Sequence, residues 1–331
     1  MTQFKAFEVT KEEDGSFTRA IVERDTSDLP EGDVLIRVAY SSLNYKDALS
    51  ATGNPGVTRN YPHTPGIDAA GVVAESSDAS IAEGTEVIVI GFDLGMNTAG
   101  GYGEYISVPS GWVTPLPAGL SMRDAMILGT AGFTAALCIH KLESAGMSPS
   151  GGPVLVTGAT GGVGSVAVRL LSQAGYETHA VTGKASEHEF LRNLGASEIH
   201  DRSEFEDESS RPLLRETWGG VVDTVGGAIL FNCIKALKYG QSAAACGLVS
   251  SPMIPASVFP FILRHVNLLG IDSVELPLDE KNVIWSNLAS NWKIDNLEDF
   301  VAPLTIDTLS DAIDRILAGE MVGRGLLTHS S

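Results

Sequence analysis

The chain has 331 residues, of which 44% are hydrophobic and 19% charged, and it carries a formal net charge of −19. That length predicts two domains, and that composition a globular protein, not a disordered one. The sign of the charge argues against nucleic acid and anionic membrane surfaces as partners.

The N-terminal Met1-Thr2-Gln3-Phe4-Lys5 has no basic stretch leading into an apolar one, so no signal peptide is expected. No apolar run is read as approaching the roughly 18–20 residues that span a bilayer. Cys138, Cys233 and Cys246 are scattered in apolar surroundings. Buried small side chains in a reducing cytoplasm are their expected role.

In chain order, the first part, to about residue 122, reads as short strands with turn punctuation. Asp33–Tyr40 and Glu86–Ile90 are predicted strands. Pro and Gly cluster at 53–56, 62–66 and 91–103, as the bends of a curled antiparallel β-domain require. From about residue 124 the rhythm becomes β-α-β, with strands at Val154–Thr157, Thr178–Val181, Val221–Val225 and Ser242–Ala245. Helical segments between them imply a parallel sheet covered on both faces. After about residue 262 come Val266–Ile271, a helix over Leu309–Ala318, and Gly325–Thr328.

This order predicts an α/β protein. A β-rich domain (1–123 and 264–331) holds an inserted doubly wound parallel-sheet domain (124–263), with a cleft between them.

The strongest motif is Val154-Leu155-Val156-Thr157-Gly158-Ala159-Thr160-Gly161-Gly162-Val163-Gly164-Ser165. A strand runs into a glycine-rich turn and then into a helix whose Val163, Val166, Ala167, Leu170, Leu171 and Ala174 form one apolar stripe. Such a turn brings a pyrophosphate close to backbone N–H groups at a helix N-terminus. Thr160, Gly161, Gly162 and Val163 are therefore candidate cofactor contacts.

The next strand ends in Thr182-Gly183-Lys184 with no carboxylate. An acidic residue there would bind a ribose 2′-hydroxyl, whereas a hydroxyl and a cation suit a 2′-phosphate. Arg202, after the following strand, is placed in the same pocket, and NADPH is the expected cofactor.

These residues also resemble a known family. Ser41-Ser42-Leu43-Asn44-Tyr45-Lys46-Asp47, Pro65-Gly66-Ile67-Asp68, Gly129-Thr130-Ala131-Gly132-Phe133-Thr134, the 158–165 loop, Asp223-Thr224-Val225-Gly226, Ala245-Cys246-Gly247-Leu248 and Pro260-Phe261-Ile262-Leu263-Arg264 together resemble the medium-chain dehydrogenase/reductase superfamily. Within it, the zinc-free, quinone-oxidoreductase-like members are the nearest, above all the acrylyl-CoA reductase branch. The resemblance implies a GroES-like catalytic domain around a Rossmann domain, and a homodimer. It also implies that Asn44, Tyr45, Thr130, Leu248, Ile262 and Ser273 line the nicotinamide side.

Zinc-dependent members have a Cys near Asn44, Gly-His-Glu in place of Gly66-Ile67-Asp68, and a third ligand near Thr130. None of these positions offers a thiolate or imidazole here, the 91–103 segment lacks Cys, and the seven histidines are dispersed, so no metal is expected. His63, beside two prolines, reads as structural. A short-chain dehydrogenase would pair an N-terminal loop with Tyr-x-x-x-Lys, and no tyrosine has Lys four residues on.

Without a Lewis acid, hydride addition to a conjugated C=C is easier than direct carbonyl reduction. Tyr45 is the candidate donor to the enolate oxygen, with Asn44 beside it. Asp47 is read as a loop anchor and not as a base. The leading expectation is reduction of acryloyl-CoA to propionyl-CoA, with Arg59, Arg264 and Arg324 as candidate contacts for the CoA. Quinone or enone reduction is the alternative, and a non-catalytic NADPH-binding protein is a third possibility.

Overall fold

The computed structural model describes residues 1–206 and 211–329. β1 (Gln3–Lys11) and β2 (Phe17–Asp25) pair antiparallel as a hairpin. In β3 (Val34–Leu43) Val34, Ile36 and Val38 point inward, the two-residue period of a strand with one buried face. β3 is shared between partners, with Val34–Arg37 pairing one strand and Tyr40–Leu43 another. Irregularities at Leu35/Ile36 and Val38/Tyr40 mark where it bends.

The short helix α1 (Tyr45–Ser50) follows, then β4 (Asp68–Ser76), β5 (Glu86–Ile90), β6 (Tyr105–Val108) and β7 (Thr114–Pro115). α2 (Met122–Ser144) leads into the alternating region. There β8 (Val154–Val156), α3 (Gly162–Gln173), β9 (Thr178–Thr182), α4 (His188–Leu194) and β10 (Glu198–Asp201) come first. β11 (Gly220–Asp223), α5 (Gly227–Lys235), β12 (Ser242–Ala245), α6 (Phe259–Arg264) and β13 (Asn267–Gly270) complete it. The chain closes with α7 (Leu278–Leu288), β14 (Val301–Leu304), α8 (Leu309–Leu317) and β15 (Arg324–Thr328).

Two compact units result, Met1–Thr130 with Val274–Ser331, and Ala131–Ser273. In the first, a curled sheet runs β14-β15-β3-β4-β5-β7 with β6 on β3. It closes over Val34, Ile36, Val38, Val73, Val87 and Ile106. In the second, six parallel strands run β10-β9-β8-β11-β12-β13. The chain moves outward from β8 to β10, then returns to β11 on the other side of β8. The topological switch point therefore lies at the C-terminal ends of β8 and β11.

The sequence reading differs from the structure in four places. The junctions expected at 123/124 and 263/264 fall earlier than the observed ones. α2 carries the chain across the first junction, and β13 hydrogen-bonds in parallel to β12 instead of joining the β-rich unit. Ala174, placed on the apolar stripe of α3, is its exposed C-cap. α2 is long and apolar enough to cross a membrane, contrary to the reading that no run is, but most of it is buried in protein. It is also broken at Gly129, whose φ of 52° and ψ of −159° are not helical.

Candidate active site

In the β-rich unit, Asp47 fixes the turn from β3 into α1. Its Oδ2 accepts the Asn44 N–H at 2.8 Å and its Oδ1 the Ile67 N–H at 2.8 Å, tying the start of α1 to the approach to β4. Burial first, then the negative charge of Asp68, push its carboxyl up to about 7, against the pull of those two N–H groups and the Tyr102 hydroxyl. A fully buried carboxylate engaged by backbone on both oxygens is an anchor, as the sequence suggested.

The sign of the pH effect follows. The unfolded chain releases this proton near the ordinary value of 3.8 and the folded chain near about 7. Between those values the folded state binds the extra proton, so this group lowers stability as pH rises through the window and contributes a constant penalty above it. Carbon-13 NMR should find one carboxyl titrating near pH 7 that disappears in Asp47→Asn. A spectrum in which every carboxyl ionises below about pH 5, the ordinary range, contradicts this.

Asp68, the first residue of β4 and fully buried, gathers the neighbouring donors. Asn44 Nδ2 donates to its Oδ2 at 2.7 Å and the Thr130 N–H at 2.9 Å, Thr130 Oγ1 donates to its Oδ1 at 2.5 Å, and the Ser42 hydroxyl donates as well. Arg324, 2% exposed at the start of β15, supplies the balancing cation with Nη2 4.0 Å from Asp68 Oδ2. Its Nε donates to the Ile127 carbonyl at 2.9 Å and its Nη1 to Asn44 Oδ1 at 3.3 Å. Gly129 is required here: a Cβ would lie 2.5 Å from Asp68 Oδ2 and 2.7 Å from Arg324 Nη2.

This network corrects two sequence readings. Arg324 is no candidate for a CoA phosphate, because it is buried as the partner of Asp68. Asn44 has both ends of its amide engaged, so it positions the network and presents no free donor. Tyr45, the first residue of α1, is different. It is half-buried, and its hydroxyl has no hydrogen-bond partner among the described residues. His63 is buried, with Nε2 2.9 Å from the Gly95 carbonyl, and is structural.

In the parallel-sheet unit the glycine-rich turn stands at the switch point. Thr157 Oγ1 donates to Asp223 Oδ1 at 2.7 Å, Asp223 Oδ2 accepts the Gly226 N–H at 2.7 Å, and Thr224 Oγ1 donates to the Thr157 carbonyl at 2.9 Å. Asp223 therefore locks the two switch-point loops together. Gly158 takes φ 58°, and a Cβ on Gly164 would lie 2.3 Å from the Gly158 carbonyl oxygen, so both positions need glycine. Thr160 is buried and Val163 half-buried. α3 starts at Gly162 with Gly161 as N-cap and no capping side chain, which leaves its positive end to an anionic ligand.

Thr182 Oγ1 accepts the Lys184 N–H at 3.1 Å, shaping the turn after β9. A Cβ on Gly183 would come within 3.4 Å of Arg202 Cζ, so the Arg202 guanidinium lies over this turn. Arg202 Nε pairs with Glu206 Oε1 at 3.2 Å on the exposed surface. The cradle without Cβ atoms, the uncapped helix end and the two cations fit a phosphorylated dinucleotide.

Leu248 and Ile262 are exposed, and the buried Ser273 accepts the Thr134 hydroxyl at 2.8 Å. Arg264, offered as a CoA contact, instead donates to the Lys235 carbonyl at 2.8 Å and the Leu214 carbonyl at 2.5 Å, bracing its own unit. Arg59 is exposed. Cys138 and Cys246, distant in sequence, are hydrogen-bonded neighbours.

Residues 30–118 match the alcohol dehydrogenase GroES-like domain family, and residues 162–289 the zinc-binding dehydrogenase family. The acrylyl-CoA reductase AcuI of Ruegeria pomeroyi is 45% identical over 97% of this chain and 98% of that protein. The putative quinone oxidoreductase YhfP of Bacillus subtilis is 46% identical over 90% of this chain and 91% of that protein. A crystal structure of YhfP with NAD bound matches with a TM-score of 0.96, at 43% identity over 99% of this chain and all of that one. The yhdH oxidoreductase from Salmonella enterica in complex with NADP matches with a TM-score of 0.95, at 42% identity over 99% of this chain and all of that one.

Fold and site together define an oxidoreductase that uses a nicotinamide cofactor. The chain belongs to the medium-chain dehydrogenase/reductase superfamily, in its acrylyl-CoA reductase branch. The zinc of its dehydrogenase relatives does not fit. Asn44, Ile67 and Thr130 present an amide, an alkyl group and a hydroxyl, and the neighbouring carboxylate of Asp68 is already held by Asn44, Thr130 and Arg324.

Proposed function

We propose that the chain is an NADPH-dependent reductase of the C=C bond of short enoyl thioesters, acryloyl-CoA to propionyl-CoA. The observation that carries the cofactor half is the turn after β9, where Thr182-Gly183-Lys184 ends the strand with no carboxylate and the Arg202 guanidinium lies over Gly183. The substrate half is supported by the name of the Ruegeria relative, whose length this chain spans almost completely.

Thr160, Gly161, Gly162 and Val163 hold the pyrophosphate at the N-terminus of α3. Thr182, Lys184 and Arg202 would hold the 2′-phosphate, with Arg202 released from Glu206. Thr130, Leu248, Ile262 and Ser273 contact the nicotinamide half. A bound nicotinamide supplies the hydride to the β-carbon. The chain's own task is to stabilise the negative charge on the thioester oxygen and to return a proton to the α-carbon. Tyr45, with its uncommitted hydroxyl, donates to that oxygen, and Asn44 positions the loop that carries it. The enzyme is proposed to be cytoplasmic and homodimeric. β13 is an edge strand, and Val249, Met253, Val258 and Leu263 of the same unit are exposed apolar side chains.

Lys184→Ala and Arg202→Ala are each expected to weaken NADPH binding by about 1.5–3 kcal/mol while leaving NADH nearly unchanged. Fluorescence titration of the two nucleotides measures this, and equal affinities in the unmodified protein would remove the basis for NADPH. The substrate half is tested by NADPH oxidation with acryloyl-CoA, crotonyl-CoA and a small quinone side by side. The highest kcat/KM is expected with acryloyl-CoA, and added salt should weaken the CoA substrates alone. Fast turnover of quinone with none of acryloyl-CoA hands the function to the second reading, quinone reduction, which the name of YhfP favours.

A further inference from the structure

Two histidines far apart in sequence meet on the edge of the parallel sheet. His179 lies on β9 and His200 on the edge strand β10, where Glu198 is the register partner of His179. Strand residues two apart share a face, so Glu198 and His200 flank His179 on one side of the sheet. Their ligand atoms converge: His179 Nδ1 is 3.0 Å from His200 Nε2 and 3.5 Å from Glu198 Oε2, and all three groups lie within 4.8 Å of one another. The rings stand edge-on to Trp218, with centroids at 5.4 and 5.8 Å, and His179 is 6% exposed. Packing therefore fixes the direction in which both imidazoles point.

The outer nitrogens decide the tautomers. His179 Nε2 faces Glu177 Oε1 at 3.2 Å, and His200 Nδ1 faces Glu204 Oε2 at 3.5 Å. A carboxylate on the outer nitrogen favours the N–H there and turns the lone pair of the inner nitrogen toward a metal. The two inner nitrogens face each other at 3.0 Å with the Glu198 carboxylate alongside. Three such atoms converging on one point are reconciled by one shared proton or by a cation between them.

We propose that this site binds a divalent cation of the zinc class through His179 Nδ1, His200 Nε2 and the Glu198 carboxylate, stapling edge strand β10 to β9. An ion about 2.0–2.2 Å from each ligand in tetrahedral geometry separates ligand atoms by about 3.3–3.6 Å. The observed 3.0 and 3.5 Å lie close to that spacing. Glu177 and Glu204 complete the outer layer that metal-bound histidines ordinarily have, a carboxylate on the second ring nitrogen of each. Glu198 is exposed, which leaves the fourth position to water. The site is separate from the proposed reaction chemistry, so its role is structural, and the reading of the histidines as dispersed holds only along the chain.

The test uses the full chain, stripped with a chelator, dialysed, and titrated calorimetrically with ZnCl2 and separately with MgCl2. One equivalent of Zn2+ is expected to bind and raise the melting temperature, with no comparable binding of Mg2+. His200→Ala and Glu198→Gln should each weaken Zn2+ binding at least tenfold while NADPH affinity stays as it is. Undiminished one-equivalent binding in His200→Ala would place the ion elsewhere, for instance at the Cys138–Cys246 pair, and overturn the proposal. If His200→Ala does not fold, imidazole nitrogen-15 NMR of the unmodified protein decides. Zn2+ must shift His179 Nδ1 and His200 Nε2, and spectra unchanged by Zn2+ mean that a shared proton occupies the site and the proposal fails.

Discussion

Replacing Arg324 by methionine is expected to cost about 3–5 kcal/mol of folding stability, the range found when one partner of a buried ion pair is removed. The side chain is 2% exposed, and its guanidinium stands among Asp68, Asn44 and the Ile127 carbonyl. Methionine fills much of the volume, so the loss is electrostatic. Asp68 stays fully buried with its cation gone, and Asp47, whose carboxyl its charge already pushes up, stays beside it. Arg324→Lys should also destabilise, because one ammonium cannot reproduce a planar fork that reaches Ile127 and Asn44 at once. Urea unfolding of the single variants and of Arg324→Met/Asp68→Asn measures the coupling. The double variant should lose much less than the sum of the two single changes. A single-variant cost below about 1 kcal/mol, the scale of an exposed pair, would mean that the guanidinium does not balance Asp68.

Much of the architecture was legible because it rests on period and punctuation. Glu86–Ile90 was read with its observed limits, and the strand–turn–helix at Val154–Ser165 was read in place because its glycines are forced by the backbone: Gly158 by its positive φ, Gly164 by contact with Gly158. What escaped depends on contacts between distant segments. Nothing near Arg324 in sequence says that it turns inward to Asp68, so the sequence reading offers it as a CoA contact. Arg264 was misread for the same reason, since the carbonyls of Lys235 and Leu214 that hold it come from other segments. His179 and His200 sit on adjacent parallel strands, and a parallel pairing is set by a crossover that carries no local signal of register. Val266–Ile271 was assigned to the wrong unit because a strand's pattern does not say which sheet it joins.

Tyr45→Phe should lower kcat on acryloyl-CoA by about 10²–10³-fold, the loss found when one hydrogen-bond donor to a developing oxyanion is removed. The substitution deletes one oxygen and keeps the ring, so any part of the tyrosine that only packs against the cofactor is left intact. That separates the two roles open to this residue. A donor that acts in the transition state lowers kcat and kcat/KM together and leaves NADPH affinity unchanged. A packing tyrosine leaves kcat alone. Tyr102 provides a contrast within the same unit, since its hydroxyl is fully buried, donates to Asp47, and is held by burial well above its ordinary ionisation range. Tyr102→Phe should therefore affect stability much more than rate. The measurement is single-turnover oxidation of NADPH by acryloyl-CoA, with NADPH affinity determined separately for each variant. A Tyr45→Phe enzyme with unchanged kcat would reduce the residue to packing and leave the oxyanion donor to be sought elsewhere.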